Sequence, residues 1–294
     1  MYARLGAVVM RTARFRIACA ARLLPLLLIL LLPAGAQAQW AYATNADNTI
    51  IITGYTGSGG AIAIPDTING LVVATIKCNV FSENSSLTSV MIKSNVTSIG
   101  SDAFYDCTEL KSLLIPTSVT YFGDQAFYGC TNAVATIYAS GTNTVFGNTD
   151  LYGNFYNVGL ADLTSIAFSN GITRIGQAAL DFYGTSKLKN LLIPTSITWF
   201  GFNAFISCTN AVATIYAGGT NTVFGSNDPY GNFCNDGLVD LTSITFSNDI
   251  TGIGQAALDF YGTSKLKNLL IPTSITWFGF NAFISCTNAV ATIY

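Results

Sequence analysis

Apolar residues recur along the chain at the first, fourth and sixth positions of a short segment. The segments are Leu87-x-x-Val90-x-Ile92, Leu110-x-x-Leu113-x-Ile115, Leu163-x-x-Ile166-x-Phe168 and Leu188-x-x-Leu191-x-Ile193. The fourth and sixth positions share one face of a β-strand, because successive side chains point to opposite faces. Pro116, Pro194 and Pro272 end such strands, since proline has no backbone N–H to donate. The pattern predicts short strands near residues 88–92, 111–115, 164–168, 189–193, 242–246 and 267–271.

These strands recur because the sequence itself repeats. Residues 163–216 return 78 residues later as residues 241–294. The two copies differ only at Ala167/Thr245, Gly171/Asp249 and Arg174/Gly252. A looser copy begins at Leu87, and each 78-residue block divides into three coils of about 25, 23 and 30 residues. Repeats of this length are typical of a solenoid, in which each coil buries its apolar groups against its neighbours. We predict one solenoid of about ten coils over residues 61–294.

A second set of apolar residues completes the predicted interior of each coil. Val96 and Ile99 in one coil, and Ile197 and Phe200 in another, follow the strand and are expected to point inward. The Ala-Phe pair after the next glycine predicts a short helical turn, in which the phenylalanine plugs the core. These phenylalanines are Phe104, Phe127, Phe205 and Phe283.

The segment Asn-Ala-Val-Ala-Thr-Ile-Tyr, which ends each block, has two possible strand registers. Either Val134 and Ile137 point inward, or Ala133, Thr136 and Tyr138 do so. The first register buries the larger apolar groups and is therefore preferred. It places the tyrosines on the outer face of the sheet, and these are Tyr138, Tyr216 and Tyr294.

The repeat unit resembles a known family. Residues 115–130, which read IPTSVTYFGDQAFYGC, are similar to the repeat of the BspA-like leucine-rich repeat family of bacterial surface and secreted proteins. The resemblance extends over residues 60–294. It implies a right-handed, β-rich leucine-rich-repeat solenoid with one parallel sheet of short strands, and with short helical turns and irregular coils on the opposite side. It also implies a role in extracellular or cell-surface protein binding or adhesion.

The first 38 residues resemble an export signal. Arginines precede an apolar run from Leu23 to Leu32, and Ala36 and Ala38 are the small residues that a signal peptidase recognises. We expect a Sec-type signal peptide, residues 1–38, cleaved after Ala38. The apolar run is too short to span a bilayer.

The two ends of the predicted solenoid differ. Residues 39–60 are expected to form an N-terminal cap region, because solenoid ends need a covering. Tyr294 stops at the place that Tyr216 occupies one block earlier. We expect a truncated sequence, since an uncapped end would expose an unpaired sheet edge.

Composition narrows the possible functions. The chain contains no histidine, which removes the commonest general base and metal ligand. Its formal net charge of −2 gives no indication of a nucleic-acid partner. Ser186-Lys187 and Ser264-Lys265 recur with the coil, as a structural feature would. We predict no enzyme activity, no cofactor, no metal site and no transmembrane segment after the leader.

Four cysteines occupy the same place in their coils, namely Cys107, Cys130, Cys208 and Cys286. We interpret them as small buried hydrophobic residues. The alternative is a disulfide between Cys107 and Cys130 on adjacent coils, which export would permit. Cys78 and Cys234 break the pattern, and they are candidates for free thiols or loop contacts.

We interpret four aspartates as structural residues as well. Aspartates accompany the expected helical turns, where capping aspartates are common. They are Asp102, Asp124, Asp181 and Asp259. The Asn/Asp-rich stretches 148–162 and 226–240 could hold calcium weakly, but they lack the ordered oxygen spacing of a known loop.

Aromatic residues form the most interesting candidate surface. Tyr121, Trp199 and Trp277 occupy one equivalent position, three coils or about 14 Å apart. An exposed row of this kind can stack on sugar rings or anchor a protein. Alternatively, each ring packs under the adjacent 30-residue coil. The outer sheet face supplies further candidates, namely Lys189, Lys267 and Tyr216.

We therefore expect a secreted or cell-surface repeat protein whose partner is an extracellular protein. Carbohydrate binding through the aromatic row is the alternative. A third possibility is that the chain is the repeat region of a larger secreted enzyme, with its catalytic domain beyond Tyr294.

Overall fold

In the residues that the structure describes, the chain winds into a solenoid of parallel β-strands with about nine turns and almost no helix. A computed structural model describes residues 39–147, 157–181, 186–225, 236–259, 264–284 and 286–294. The expected signal peptide, Cys234 and most of both Asn/Asp-rich stretches lie outside these residues. The described part contains two short 3-10 helices, Val158–Asp162 and Asp236–Asp240. None of its helices has the length and apolar character needed to cross a membrane.

From β5 onward the strands alternate between the two sides of the solenoid. The first eleven are β1 (Trp40–Thr44), β2 (Ile50–Tyr55), β3 (Gly60–Ala63), β4 (Thr67–Ile68), β5 (Leu71–Ile76), β6 (Leu87–Met91), β7 (Ser98–Ile99), β8 (Ser112–Pro116), β9 (Tyr121–Phe122), β10 (Val134–Tyr138) and β11 (Val145–Phe146). The others are β12 (Ser165–Phe168), β13 (Arg174–Ile175), β14 (Asn190–Pro194), β15 (Trp199–Phe200), β16 (Val212–Tyr216), β17 (Val223–Phe224), β18 (Ser243–Phe246), β19 (Gly252–Ile253), β20 (Asn268–Ile271), β21 (Trp277–Phe278) and β22 (Val290–Ile293).

One side of the solenoid is a ten-stranded sheet in the order β3-β6-β8-β10-β12-β14-β16-β18-β20-β22. Neighbouring strands pair in parallel throughout. The six strands predicted from the apolar pattern are confirmed as β6, β8, β12, β14, β18 and β20. Because every coil contributes a strand at nearly the same register, equivalent side chains form rows across the sheet.

The opposite side carries three separate sheets, in which the strands from β7 onward are two residues long. Their orders are β1-β2-β5-β7-β9, β11-β13-β15 and β17-β19-β21. The sheets end at β9 and β15, against which the two 3-10 helices pack. At the first interruption Thr117 Oγ1 donates to the carbonyl of Asn143 at 2.7 Å, and the Asn143 amide donates back to the Thr117 carbonyl at 3.1 Å. Thr195 and Asn221 repeat this pair of bonds one block later.

The N-terminal strands close the first coil. β1 pairs antiparallel with β2, and β2 pairs in parallel with β5, so the hairpin extends the second side of the solenoid. Trp40 is buried, and its ring lies 6.1 Å from that of Phe81. Trp40 and Tyr55 of the hairpin therefore both pack against Phe81 of the following coil.

Stacked phenylalanines form the spine of the core. The rings of Phe81, Phe104 and Phe127 lie 4.8 and 5.4 Å apart, nearly parallel. Phe104, Phe127 and Phe205 are fully buried, which confirms the predicted core plugs. Phe283 is only partly buried.

The predicted register of the segment at residues 133–138 is wrong at Val134, which is 40% exposed. Ala133, Ala135 and Ile137 are buried instead. Val134 and Ile137 are three residues apart, and a strand with a two-residue period cannot bury both. Pairing of Ile137 with Ile115 places the isoleucines in one inward row, so Val134 points outward.

The helical turn predicted beside each core phenylalanine is also wrong. Residues 101–106 form hydrogen-bonded turns, not an α-helix. The N–H of Phe104 donates to the carbonyl of Ala126 in the next coil at 2.8 Å. Asp102 and Gln125 have φ angles of 54° and 53°, outside the helical region. Backbone hydrogen bonds between stacked coils, rather than bonds within a helix, therefore pair these peptide groups.

The helix-capping role assigned to the aspartates consequently has no basis at these turns. Asp102 itself occupies a left-handed position, and its N–H donates to the Asp124 carbonyl of the next coil at 3.1 Å. Asp181 accepts a hydrogen bond from Ser207 Oγ at 3.1 Å. Asp102 through its backbone N–H and Asp181 through its carboxylate therefore join neighbouring coils.

Candidate functional site

The three aromatic residues singled out by the sequence lie on the second side of the solenoid. Tyr121, Trp199 and Trp277 belong to β9, β15 and β21, each the last strand of its sheet. Tyr121 and Trp277 are 41% and 38% exposed, whereas Trp199 is half-buried. Because each sheet stops before the next aromatic residue, the three rings do not stand on one uninterrupted ladder.

The two tryptophans have different surroundings although their coils are almost identical. The Arg174 guanidinium lies 4.4 Å from the centre of the Trp199 ring, from the neighbouring strand. In the next block Gly252 takes the place of Arg174 and pairs with Trp277. A Cβ on Gly252 would lie 2.3 Å from Cε2 of Trp277, so the indole rests on the glycine backbone. One substitution therefore changes which groups each ring contacts.

Tyr216 is on the outer sheet face, but its hydroxyl is engaged. The same bond is made by its equivalents, since each tyrosine hydroxyl donates to a backbone carbonyl two strands away. The pairs are Tyr138 to Ile92 (2.5 Å), Tyr216 to Phe168 and Tyr294 to Phe246 (2.7 Å). Tyr138 and Tyr216 are half-buried and Tyr294 is exposed, and the bond ties each of the three side chains to the sheet.

A proline in the intervening strand explains this bond. In the ladder, Ser169 N–H donates to the carbonyl of Ile137, the residue that pairs with Phe168. One strand further on, the equivalent bond would run from the backbone N–H of residue 194 to the carbonyl of Phe168. That residue is Pro194, which has no N–H. Tyr216 pairs with Pro194 in the sheet, and its hydroxyl supplies the missing donor.

The repeated cysteines form an interior row. Each Sγ donates to a carbonyl of the preceding coil, with Cys107 to Phe81 at 3.1 Å, Cys130 to Phe104 at 3.0 Å, Cys208 to Leu180 at 3.6 Å and Cys286 to Leu258 at 3.4 Å. All four are free thiols, and so is the exposed Cys78. Burial, reinforced by Asp181, raises the pKa of Cys208 to about 12, and burial raises that of Cys286 to about 11. A protonated thiol is unreactive, as expected of a buried packing residue.

The Ser-Lys pairs have structural partners. Lys187 and Lys265 form ion pairs with Asp162 at 2.8 Å and Asp240 at 2.7 Å. Ser186 Oγ accepts the N–H of Leu188 at 3.1 Å. Each lysine therefore ties its coil to the 3-10 helix of the preceding coil. Within the described residues, no group of three or more Cys, Asp or Glu side chains could hold a metal ion.

Two rows of side chains cover the outward face of the ten-stranded sheet. The first row is Ser89, Ser112, Val134, Ser165, Asn190, Val212, Ser243 and Asn268. The second is Met91, Leu114, Thr136, Ala167, Leu192, Thr214, Thr245 and Leu270. Neither row contains a charged residue. We call these two rows the sheet face.

A groove lies at the edge of the sheet face, and the sequence did not predict it. It has a volume of about 590 Å³, and its lining includes Thr209, Asn210, Thr242, Lys267, Asn268 and Asn288. Lys267 and its equivalent Lys189, both surface candidates from the sequence, are exposed just before β20 and β14. The 78-residue recurrence of Thr-Asn-Ala and Leu-Lys-Asn was the available signal. It could not indicate that the two motifs face one another across coils.

Comparison with known proteins gives one family. A model of the BspA type leucine-rich repeat region matches in six copies over residues 61–151 and 230–293, just over half of the chain. No curated protein matches.

Several solved structures resemble the chain at low identity. A leucine-rich cell surface protein from Faecalibacterium prausnitzii is 23% identical, covering 87% of this chain and 92% of its own, with a TM-score of 0.34. A leucine-rich repeat protein of T. pallidum is 21% identical over 88% and 90%, with a TM-score of 0.36. The pneumococcal vaccine antigen PcpA is 12% identical over 82% and 75%, with a TM-score of 0.24.

Proposed function

The chain belongs to the BspA-type leucine-rich repeat family, and from this premise we propose that it is an extracellular or cell-surface protein that binds another protein through the sheet face. Leucine-rich repeat proteins are generally not enzymes, and the proposal includes the absence of catalytic activity. The leader at residues 1–38 supports a location outside the cytoplasm, because its arginines, apolar run and small residues form the pattern of an export signal.

The composition of the sheet face carries this proposal. Val134 and Val212 are 40% and 39% exposed in a sheet that has paired strands on both sides of them. The same face holds the half-buried Leu114 and Leu192 among serine, threonine and asparagine. Exposed apolar groups set in uncharged polar surroundings are typical of the centre of a protein interface, where charged residues are depleted.

The rigidity of the sheet face also favours binding. Its backbone groups are paired from strand to strand, so the surface is formed before a partner arrives. A preformed surface loses little conformational entropy on binding. Val134 and Val212 are 78 residues apart in equivalent coils, so the face offers the same chemistry more than once. Identical sites on one scaffold raise the effective concentration for a repetitive partner.

The test places charges at the centre of the sheet face. The full chain and the double variant Val134→Lys/Val212→Lys are compared for binding to a panel of immobilised extracellular proteins. The matched control is Thr120→Lys/Thr198→Lys, which adds the same charge at exposed, equivalent positions on the other side of the solenoid. We expect the sheet-face variant to bind at least about tenfold more weakly, because desolvating an unpaired charge opposes association. Equal binding by both variants, or no binding by the full chain, overturns the proposal.

Carbohydrate binding is a second candidate, which the exposure of Tyr121 and Trp277 favours. A glycan array probed with the full chain, Trp277→Ala and the sheet-face variant separates the two. Loss of a glycan signal in Trp277→Ala alone would assign sugar binding to the aromatic positions. Unchanged signals in Trp277→Ala and Trp199→Ala would remove this candidate.

Location is tested separately. Antibody labelling of intact cells and of the culture medium should detect a chain that begins at Gln39. A chain that keeps residues 1–38 and stays inside the cell would contradict the proposed location.

A further inference from the structure

The groove at the edge of the sheet face has an unbalanced charge. Its lining contains Lys265 and Lys267 and no carboxylate. Lys265 is neutralised by its ion pair with Asp240. Among the described residues no carboxylate lies within ion-pair distance of Lys267, whose side chain is exposed. The groove therefore offers one uncompensated positive charge to a ligand.

Three asparagine side chains of the groove are also available to a ligand. The side-chain amides of Asn210, Asn268 and Asn288 make no hydrogen bond within the part of the chain that the structure describes. Thr242 Oγ1 donates to the carbonyl of Thr209 at 2.6 Å, which joins the floor of the groove across two coils. Each free amide can donate and accept at once, so the walls suit a ligand that carries many hydroxyl groups. The volume, about 590 Å³, lies in the range of small-ligand sites.

The residue types that line the groove recur along the solenoid. Asn210 lines this groove, and it stands at the position that Asn288 occupies one block later. The sequence around Lys189 and Asn190 is identical to that around Lys267 and Asn268, so the same residue types recur one block earlier, where Asn132 stands for Asn210 and donates to the Thr108 carbonyl at 3.1 Å. Asn210 is therefore shared by two consecutive segments of one polar track.

Charges are spaced regularly along this track. Lys111, Lys189 and Lys267 are 78 residues apart, exposed, and three strands from one another. Strand spacing puts successive lysines about 14 Å apart. A linear ligand with anionic groups along its length can meet several of them at once.

We propose that this track, which comprises Lys111, Lys189, Lys267, Asn210, Asn268 and Asn288, binds a linear anionic polysaccharide bearing carboxylate or sulfate groups. The lysines pair with the anionic groups and the amides with sugar hydroxyls. A polysaccharide fits better than an acidic peptide, since Leu266, the apolar lining residue, is buried and the adjoining strands are already paired. The track lies at the edge of the sheet face and shares Asn268 with it, whereas its lysines lie outside the two rows of that face.

The experiment measures binding of the full chain to four polymers by surface-immobilised titration. Hyaluronan supplies carboxylates, dextran sulfate supplies sulfates, dextran is the neutral control, and poly-L-glutamate is the acidic peptide. The test variant is Lys189→Gln/Lys267→Gln. The matched control is Lys77→Gln/Lys93→Gln, which removes the same charge away from the track. Circular dichroism confirms that each variant keeps its fold.

We expect at least one anionic polysaccharide to bind, neutral dextran not to bind, and binding to weaken as salt screens the charges. The track variant should lose affinity about tenfold or more, which is the loss of one to two charged hydrogen bonds. The control pair should change by less than about twofold. Preference between hyaluronan and dextran sulfate identifies the anionic group.

Three results would overturn the proposal. One is no binding to either anionic polysaccharide. Another is equal weakening by the track and control variants, which would indicate a general attraction of charge. The third is tighter binding to poly-L-glutamate than to both polysaccharides. A further variant, Asn210→Ala, should weaken binding more than Asn288→Ala, because Asn210 serves two segments of the track. The two proposals can fail separately, because the sheet-face test replaces Val134 and Val212, whereas this test replaces Lys189 and Lys267 in a chain that keeps both valines.

Discussion

The first copy, residues 163–216, and the second copy, residues 241–294, share almost every side chain but differ in burial. Phe200 is fully buried in the first copy, whereas the equivalent Phe278 is 49% exposed. The first copy is followed by another full coil, while only β22 lies beyond the corresponding coil of the second. The comparison teaches that the interior of a coil is completed by the coil stacked on it.

The largest expected difference concerns the core phenylalanines. Phe205→Ala should lower the free energy of unfolding by about 3–5 kcal/mol, because the fully buried ring leaves a cavity. Phe283→Ala should cost only about 1–2 kcal/mol, since part of its ring is already exposed to water. Urea titration followed by circular dichroism measures both. Equal losses would show that the second copy is covered as fully as the first.

The tyrosine bond across proline should be the next largest effect. Tyr216→Phe leaves the Phe168 carbonyl without its donor and should cost about 1–3 kcal/mol. Pro194→Ala restores a backbone N–H at that position, so the double variant Tyr216→Phe/Pro194→Ala should recover much of the loss. Tyr294→Phe removes the equivalent bond to the Phe246 carbonyl and tests whether its loss costs the same free energy of unfolding in the second copy. Additive losses in the double variant would reject the proline explanation.

The alkylation rates of Cys208 in the first copy and Cys286 in the second should differ by about an order of magnitude. Alkylation requires the thiolate, and the pKa is about 12 for Cys208 and about 11 for Cys286. At any pH below both values, Cys286 should carry about tenfold more thiolate, and its exposure adds to the rate. Labelling between pH 8 and 9, followed by peptide mass mapping, should show Cys286 reacting first. Both rates should rise with pH, and they should become equal in urea.

The redox state of the adjacent thiols is read from the same samples. Intact mass with and without reductant should be the same for Cys107 and Cys130, which are free in the structure. A native mass lower by two hydrogen atoms, mapping to these residues, would favour the disulfide.

The smallest effect is expected at the tryptophans. Arg174→Gly removes the guanidinium from Trp199 and should cost about 0.5–1 kcal/mol, the usual contribution of an exposed cation–π contact. Gly252→Arg should displace Trp277, because a Cβ there would collide with the indole. Tryptophan fluorescence in a Trp40→Phe background reports both changes. An unaltered spectrum in Gly252→Arg would contradict the position of the ring.

Some elements could be read from local pattern, and others could not. The strands β6, β8, β12, β14, β18 and β20 follow the spacing of apolar residues within one coil, so no knowledge of neighbours was needed. The size of Val134 favours an inward side chain, but the pairing of Ile137 with Ile115 places the Val134 side chain on the outer face. The turns containing Asp102 and Gln125 look helical by composition, yet their peptide groups bond to the next coil. Prediction succeeded where the determining contacts lie within about ten residues.

The candidate sites show the same division. The sequence indicated Lys189 and Lys267 as surface residues, because lysine beside a strand start is seldom buried. It could not show that Asn210 and Asn288 stand on either side of Lys267, since these residues belong to different coils. It marked Tyr216 as a binding candidate, although the hydroxyl is needed by the Phe168 carbonyl.

The sequence by itself determined the solenoid, its 78-residue period and the inward row of the six strands predicted from the apolar pattern, because apolar spacing and repetition are local properties. Only the tertiary structure decided which residues of one coil contact which residues of the next. The donor for the carbonyl beside Pro194, the burial of Phe200 against that of Phe278, and the walls of the groove all depend on the neighbouring coil. Such contacts join residues 22 to 48 positions apart, and no local pattern encodes the geometry with which stacked coils meet.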